Sequence, residues 1–445
     1  MAISRRSFLY GLGASTIGAS TLLPGIGWAA SSSNSSGQGS YKALVCVCLL
    51  GGNDGFNMLI PSDDTHYNEY KSARKTIAIK QEQLLKTDIV STDNEGNAVE
   101  IGLHPSMGGL QSLCEKGYVN TVLNCGVLRQ PMTKEQTQFA PGMLFSHNSQ
   151  REEWFKGNAN STENTGWAGR LMTQLNGAES SSILPPLFSF DGATKLFNGE
   201  VKSSAFKNNK VSALEYASDE VQQTAEAFNQ EETEPKSQFH QLFHNIINDS
   251  VNYSNRASKV FALPNDAKLY NSGNGLALQF NSVLKFIKAR ETLGQDRQIF
   301  YVTLDGFDTH SNQSGTHSQL LKKLGDALNL FYQSLEEQGL EANVTTVTLS
   351  DFGRRIPPNA SGTDHGWGNN QIVVNGGSLT PGATGTWPSL AYGSDDDYST
   401  GRILPTTSVD QIGATLATWM GVSNDDISQV FPSLGHFYPQ NLGFI

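Results

Sequence analysis

The chain has 445 residues, with 42 Asp and Glu against 31 Lys and Arg, for a formal charge of −11 at pH 7. That balance offers no basic surface to replace the counterions of a phosphate backbone, which argues against a nucleic-acid partner. The length holds one large α/β domain or two ordinary ones. No segment of the mature chain reaches the ~20 apolar residues of a membrane span.

The N-terminus carries an address. Ser4-Arg5-Arg6-Ser7-Phe8-Leu9 sets a paired arginine ahead of a mildly apolar stretch, Tyr10 to Leu23, and Gly27-Trp28-Ala29-Ala30 supplies small residues for cleavage. A charged start, a short apolar middle and a small-residue end predict a cleaved signal over residues 1–30, and the arginine pair makes it the twin-arginine kind. The twin-arginine translocase is then the expected export partner, carrying the folded chain to the periplasm or another extracytoplasmic space. Residues 31–40 (SSSNSSGQGS) read as a flexible linker. Cleavage removes Arg5 and Arg6 and no carboxylate, so −11 becomes −13.

From residue 41 the pattern is that of one α/β domain. Lys42 to Leu50 (KALVCVCLL) is an apolar run ending in Gly51-Gly52, as expected of a strand buried on both faces. Leu103 to Gly117 predicts a helix, Tyr118 to Asn124 a strand, and Asn148 to Lys156 a short helix stopped at Gly157. Residues 205–294 lack strand pattern and predict a helical insertion forming a cap or side layer, with Asn229 to Lys236 as a solvated break. Gln298 to Leu304 and Asn343 to Leu349 are predicted strands around a helix from Thr316 to Gln338. Ile372 to Val374 is a short strand, and Val409 to Gly421 a helix. Strands alternating with helices imply a mostly parallel sheet covered on both faces. Cys46, Cys48, Cys114 and Cys125 match no zinc spacing.

Polar residues gather just past the predicted strand ends, the edge at which open parallel sheets bind ligands. Asp54 follows three glycines in GGNDG and is either a turn residue or a hard metal ligand. Ser146, before the 148–156 helix, is either its cap or a nucleophile at an anion-stabilising helix start. His147 follows it. Asp308 and His310, two apart in extended backbone, point to one side and can grip one cation. Asp351 ends a strand, and Asp364-His365 lies in a Gly-rich loop. Arg354 either holds a phosphate or sulfate bidentately or pairs with a neighbouring carboxylate. His317 reads as structural. A mixed Asp/His set suits zinc, manganese or iron better than calcium, and several such clusters point to a binuclear metal site, with zinc or manganese the expected ions.

At these residues the chain resembles the bacterial family of domain of unknown function 1501, a branch of the alkaline phosphatase-like superfamily. The segments that carry the resemblance are GGNDGFN at Gly51, SHNSQREEW at Ser146, GFDTH at Gly306, SDFGRR at Ser350 and GTDHGWG at Gly362. The resemblance implies the superfamily's α/β fold and two divalent metal ions. Carried over, Asp54, Ser146 and Asp351 would face one ion, and Asp308, His310 and His365 the other. Two departures stand out: Phe352 occupies a position where the superfamily has His, so one ligand is either missing or supplied elsewhere, by His147 or Asp364, and Asp308-x-His310 replaces a longer spacing. No sulfatase Cys-x-Pro/Ala-x-Arg motif is present, since Val127 fills the Pro/Ala position after Cys125. The expectation is an exported, metal-dependent hydrolase of anionic phosphate or sulfate esters with Ser146 as nucleophile. The alternative is a non-catalytic extracytoplasmic binding or surface-assembly protein that keeps the fold and a partial metal site.

Overall fold

The computed structural model describes residues 41–159, 162–177, 184–207, 210–211 and 238–445. The predicted signal (1–30), the linker (31–40) and the break at 229–236 lie outside the described residues. No described helix is long and apolar enough to cross a membrane.

A nine-stranded sheet organises the molecule. In chain order its strands are β1 (Lys42–Leu50), β2 (Val119–Gly126), β3 (Leu187–Ser189), β4 (Ser204–Ala205), β5 (Arg297–Asp305), β6 (Val344–Ser350), β7 (Asn369–Val374), β8 (Gly382–Thr384) and β9 (Thr407–Ser408). They lie in the order β8-β2-β7-β6-β1-β5-β3-β4, with β9 also on β2. All pairings are parallel except those of β7, which runs antiparallel to β6 and β2. The mostly parallel sheet expected from the alternation of strands and helices is therefore present.

The apolar run of β1 explains its central place. Ala43, Val45, Val47 and Leu49 join one hydrophobic core, while Leu44, Cys46 and Cys48 join another on the opposite face. Helices Gly108–Glu115, Gly275–Lys288 and Gln313–Glu336 fill the first core, and His147–Lys156, Trp167–Asn176 and Val409–Met420 the second. Burial of such alternating side chains from water is the main stabilising term of a sheet covered on both sides. All four cysteines are free thiols, and Cys46 and Cys48 pack in the same hydrophobic core.

One predicted helix start shifts for a local reason. Leu103 ends a strand rather than starting a helix, because Ala98–Leu103 pairs with Leu59–Pro61 and Leu85–Asp93. The helix begins at Gly108, past Pro105. Within 205–294, the described helices Gln238–Phe261, Ala267–Tyr270, Gly275–Lys288 and Arg290–Leu293 match the helical expectation. Gly275–Lys288 is core rather than cap, since ten of its fourteen residues are buried.

The register of β1 with its neighbours builds the functional edge. Leu50 lies opposite Asp305 of β5, and Leu49 opposite Ser350 of β6. The loops starting at Gly51, Gly306 and Asp351 thus leave the sheet side by side.

Candidate metal centre

These loops interlock through backbone contacts that need glycine. Gly51 has φ +110°, and a Cβ there would fall on the backbone nitrogen of Asp308. Gly362 passes so close to Thr309 and His310 that any side chain would strike their carbonyl groups. Asn53 N donates to Ser350 Oγ at 2.8 Å and Gly51 N to Asp351 Oδ2 at 3.1 Å. Close approach, permitted by missing side chains, brings residues more than 250 positions apart within hydrogen-bond reach.

Four side chains converge on this platform. His147 enters from the first turn of the His147–Lys156 helix, Asp308 and His310 from the β5 loop, and His365 from the loop before β7. Asp308 Oδ1 is 3.1 Å from His310 Nε2 and 3.3 Å from His365 Nε2, and its Oδ2 is 3.5 Å from His147 Nε2. The Nε2 atoms of His310 and His365 are 3.0 Å apart. One ligand atom from each of His147, Asp308 and His365 lies within 4.8 Å of the others, the one such group among the described residues.

The opposite ring nitrogens are held from behind. His147 Nδ1 donates to Asp351 Oδ2 at 2.8 Å, and His365 Nδ1 to the Phe145 carbonyl at 2.7 Å. His310 Nδ1 lies 3.4 Å from Asp364 Oδ1. A carbonyl can only accept, so His365 carries its proton on Nδ1 and presents the Nε2 lone pair to the centre. Burial, partly opposed by that hydrogen bond, keeps the His365 imidazole below its ordinary pKa and favours the neutral form. Burial raises the Asp308 carboxyl, but the hydrogen bond and charge of Arg354, with His310 and His147, outweigh it and hold Asp308 below the usual carboxylate range. The buried ring of Phe352 lies tilted against two imidazoles, 4.8 Å from that of His147 and 4.6 Å from that of His365. The resulting arrangement is three imidazoles and a carboxylate aimed at one another, with orienting partners outside them. That is how side chains are set to hold a transition metal.

The chain belongs to the DUF1501 family. The family model, described as a protein of unknown function, matches residues 41–428. No curated protein matches the sequence. Among solved structures, the chain is similar to the lipoteichoic acid synthase LtaP from Listeria monocytogenes, at 9% identity and TM-score 0.39, covering 86% of this chain and 72% of that one. It is likewise similar to a protein in the alkaline phosphatase superfamily from Vibrio parahaemolyticus, at 10% identity and TM-score 0.36, covering 86% and 67%. The C-terminal periplasmic domain of EcEptC from Escherichia coli, in complex with Zn, is similar at 12% identity and TM-score 0.34, covering 89% and 88%.

Within this DUF1501 chain the sequence-predicted residues fall into distinct places. Asp308, His310 and His365, one of the two expected ligand sets, come together, and His147 completes the group. Asp351 and Asp364 sit behind His147 and His310 as orienting carboxylates. Asp54 goes elsewhere: it is fully buried, ion-paired to Arg74 and hydrogen-bonded by Gln313. Arg354 is no open anion clamp. Its buried guanidinium donates to the carbonyls of Gly52, Thr363, Gly51 and Phe307 at 2.8–3.0 Å and to Asp308, so it staples the loops together and has no room for a phosphate. Ser146 is half-buried beside His147, and its hydroxyl makes no cap hydrogen bond. The turn before it holds Met143 and Phe145 at φ +53° and +70°, conformations rare for such residues and frequent where function stores strain. His317 is structural as expected, with Nε2 2.9 Å from Asn53 Oδ1. Arg151 escaped the sequence reading: Nη1 lies 3.7 Å from Asp351 Oδ1. Its place four residues after His147, on the same helix face, was the available signal.

Proposed function

We propose that this chain is an exported hydrolase of phosphate or sulfate esters, built on one divalent metal ion held by His147, Asp308, His310 and His365. The observation that carries the reading is the convergence of three Nε2 atoms on the Asp308 carboxylate while Asp351, the Phe145 carbonyl and Asp364 engage the opposite ring nitrogens. Lone pairs 3.0–3.5 Å apart repel unless a proton or a cation lies between them. A mixed imidazole and carboxylate donor set suits zinc first and manganese second. Bound there, such an ion would polarise a phosphoryl or sulfuryl oxygen of an anionic ester and favour its displacement.

The chain's own groups supply the rest. Ser146, uncommitted to capping and preceding His147, offers a hydroxyl at the start of a ten-residue helix whose N-terminus favours anions. Water attack releases the ester's alcohol together with phosphate or sulfate, whether directly or after transfer to Ser146. The reading needs one ion rather than the two expected from the resemblance, because Arg74 already balances the charge of Asp54. Export rests on Arg5-Arg6 and the apolar stretch behind them, with the twin-arginine translocase as partner.

Elemental analysis of purified protein tests the centre. Wild type is expected to carry about one zinc or manganese per chain, and Asp308→Asn and His365→Ala to lose it while keeping wild-type far-ultraviolet circular dichroism. Unchanged metal in both variants removes these residues from the site. A metal-loaded wild type that cleaves no member of a panel of aryl phosphates and sulfates supports the binding-protein alternative instead.

A further inference from the structure

Beside the metal centre runs a cleft of about 360 Å³. One wall is the His147–Lys156 helix, where His147, Arg151 and Phe155 recur every four residues and share a face. This stripe leads from the metal set, through the Arg151 guanidinium, into the cleft. Arg151 donates from Nη2 to Asn148 Oδ1 at 3.0 Å and sits 3.7 Å from Asp351 Oδ1, leaving most of its five donors unspent. With Arg354 saturated by carbonyls, Arg151 is a cation between the metal set and the cleft that can still grip an oxyanion. The second cation of the cleft, Lys195, is paired with Glu152 at 2.9 Å, so those two charges cancel.

The rest of the lining shows what else the cleft takes. Phe155 and Tyr301 meet edge to face at 5.6 Å and expose only about 5% of their surfaces, too little for an acyl chain or a stacked aromatic ring. Apart from the Ala193 methyl, the remaining side chains are hydrogen-bonding ones: Asn148, Thr194, and Asp191, which accepts from Thr303 Oγ1 at 3.1 Å. Carboxylate and amide groups over a small apolar floor match a ligand with many hydroxyls, and the volume suits one or two small rings.

Resting on the ester-hydrolase reading above, we infer that Arg151 binds the anionic group and that the cleft receives the hydroxyl-rich part of a sugar or polyol phosphate or sulfate. Phosphonates, whose C–P bond resists hydrolysis, probe this without turnover. Calorimetric titration would use methylphosphonate, phenylphosphonate and the C-phosphonate analogue of glucose 6-phosphate, with metal content measured in parallel. In wild type the sugar phosphonate is expected to bind at least tenfold tighter than either of the others. Arg151→Gln should weaken all three at least tenfold with metal content unchanged, and Arg151→Lys should recover part of the loss. Asp191→Ala should weaken only the sugar phosphonate, about fivefold or more. Wild-type affinity in Arg151→Gln, or phenylphosphonate binding as tightly as the sugar analogue, overturns the inference. A wild type that holds no metal yet binds the sugar phosphonate through Arg151 removes the hydrolase reading and keeps this one.

Discussion

Asp54 and Asp308 both follow strand ends at the same edge of the sheet, yet their surroundings differ in one decisive respect. Asp54 is shut away from solvent, and its charge is balanced by the equally buried Arg74, with Gln313 adding a hydrogen bond. Asp308 is 45% exposed and faces three imidazole nitrogens. Arg354 touches it too, but that guanidinium is spread over four carbonyls. The first cluster carries its own cation and is complete. The second has donors aimed at one another, an arrangement that a proton or the proposed metal ion would satisfy. On the proposed reading, a carboxylate after a strand serves as a metal ligand or a structural anion according to whether the fold already surrounds it with a balancing cation.

The largest expected effect comes from breaking the complete cluster. Arg74→Ala leaves Asp54 buried without its counter-charge, which costs on the order of 3–5 kcal/mol. Urea denaturation should show the midpoint falling accordingly, and Asp54→Asn combined with Arg74→Ala should recover part of the loss. If Arg74→Ala unfolds like wild type, Asp54 is not held in the way described.

A smaller effect concerns two buried histidines beside that cluster. Burial pushes the His317 pKa down to about 3 and that of His104 down to about 4, in both cases against the pull of Asp54. Both fold neutral and take up protons more readily when unfolded, where their pKa is about 6.5. Their contribution is therefore complete above pH 6.5 and is lost as pH falls toward 4, by up to about 1.4 kcal/mol per pH unit for each. Buried Asp410 acts in the opposite sense. Burial pushes its carboxyl up to about 7, so its share is complete below the unfolded carboxylate value and is lost as pH rises through 7. The difference between wild type and His104→Gln/His317→Gln isolates the histidines. Between pH 7.5 and 4.5 the wild-type melting temperature should drop more than that of the double variant, and parallel curves would refute the assignment.

The smallest effect sharpens the open cluster. A capping serine changed to alanine typically costs ~1 kcal/mol, but Ser146 makes no cap bond, so Ser146→Ala should cost less than about 0.5 kcal/mol. The same variant should lose turnover of any ester that wild type cleaves if Ser146 is the attacking group. A full 1 kcal/mol loss of stability with turnover intact would return Ser146 to a capping role.

Much of this was written along the chain. The unbroken apolar run of Lys42–Leu50 marked a strand buried on both faces, and the later strands and helices followed from their periodicities. The spacing of Asp308 and His310 predicts both side chains on one side, and they do lie 3.1 Å apart, on a loop whose backbone closes tight turns at Phe307 and Asp308. Sequence did not show the sheet formed by Leu59–Pro61, Leu85–Asp93, Ala98–Leu103 and Thr386–Trp387, because Leu59–Pro61 and Thr386–Trp387 are too short to carry a period and the Leu85–Asp93 strand leaves most of its polar residues at least partly exposed. Nor could it separate Asp54 from Asp308, or show that Arg354 is spent on backbone carbonyls while Arg151 is not. Those outcomes depend on which cation lies within a few ångströms of which oxygen. Arg74 is 20 residues from Asp54, and Arg354 is 46 from Asp308. Local pattern set the elements and the residue types at the strand ends. Only the packing of loops through Gly51 and Gly362 decided which charges meet, because electrostatic pairing follows distance in space rather than position in the chain.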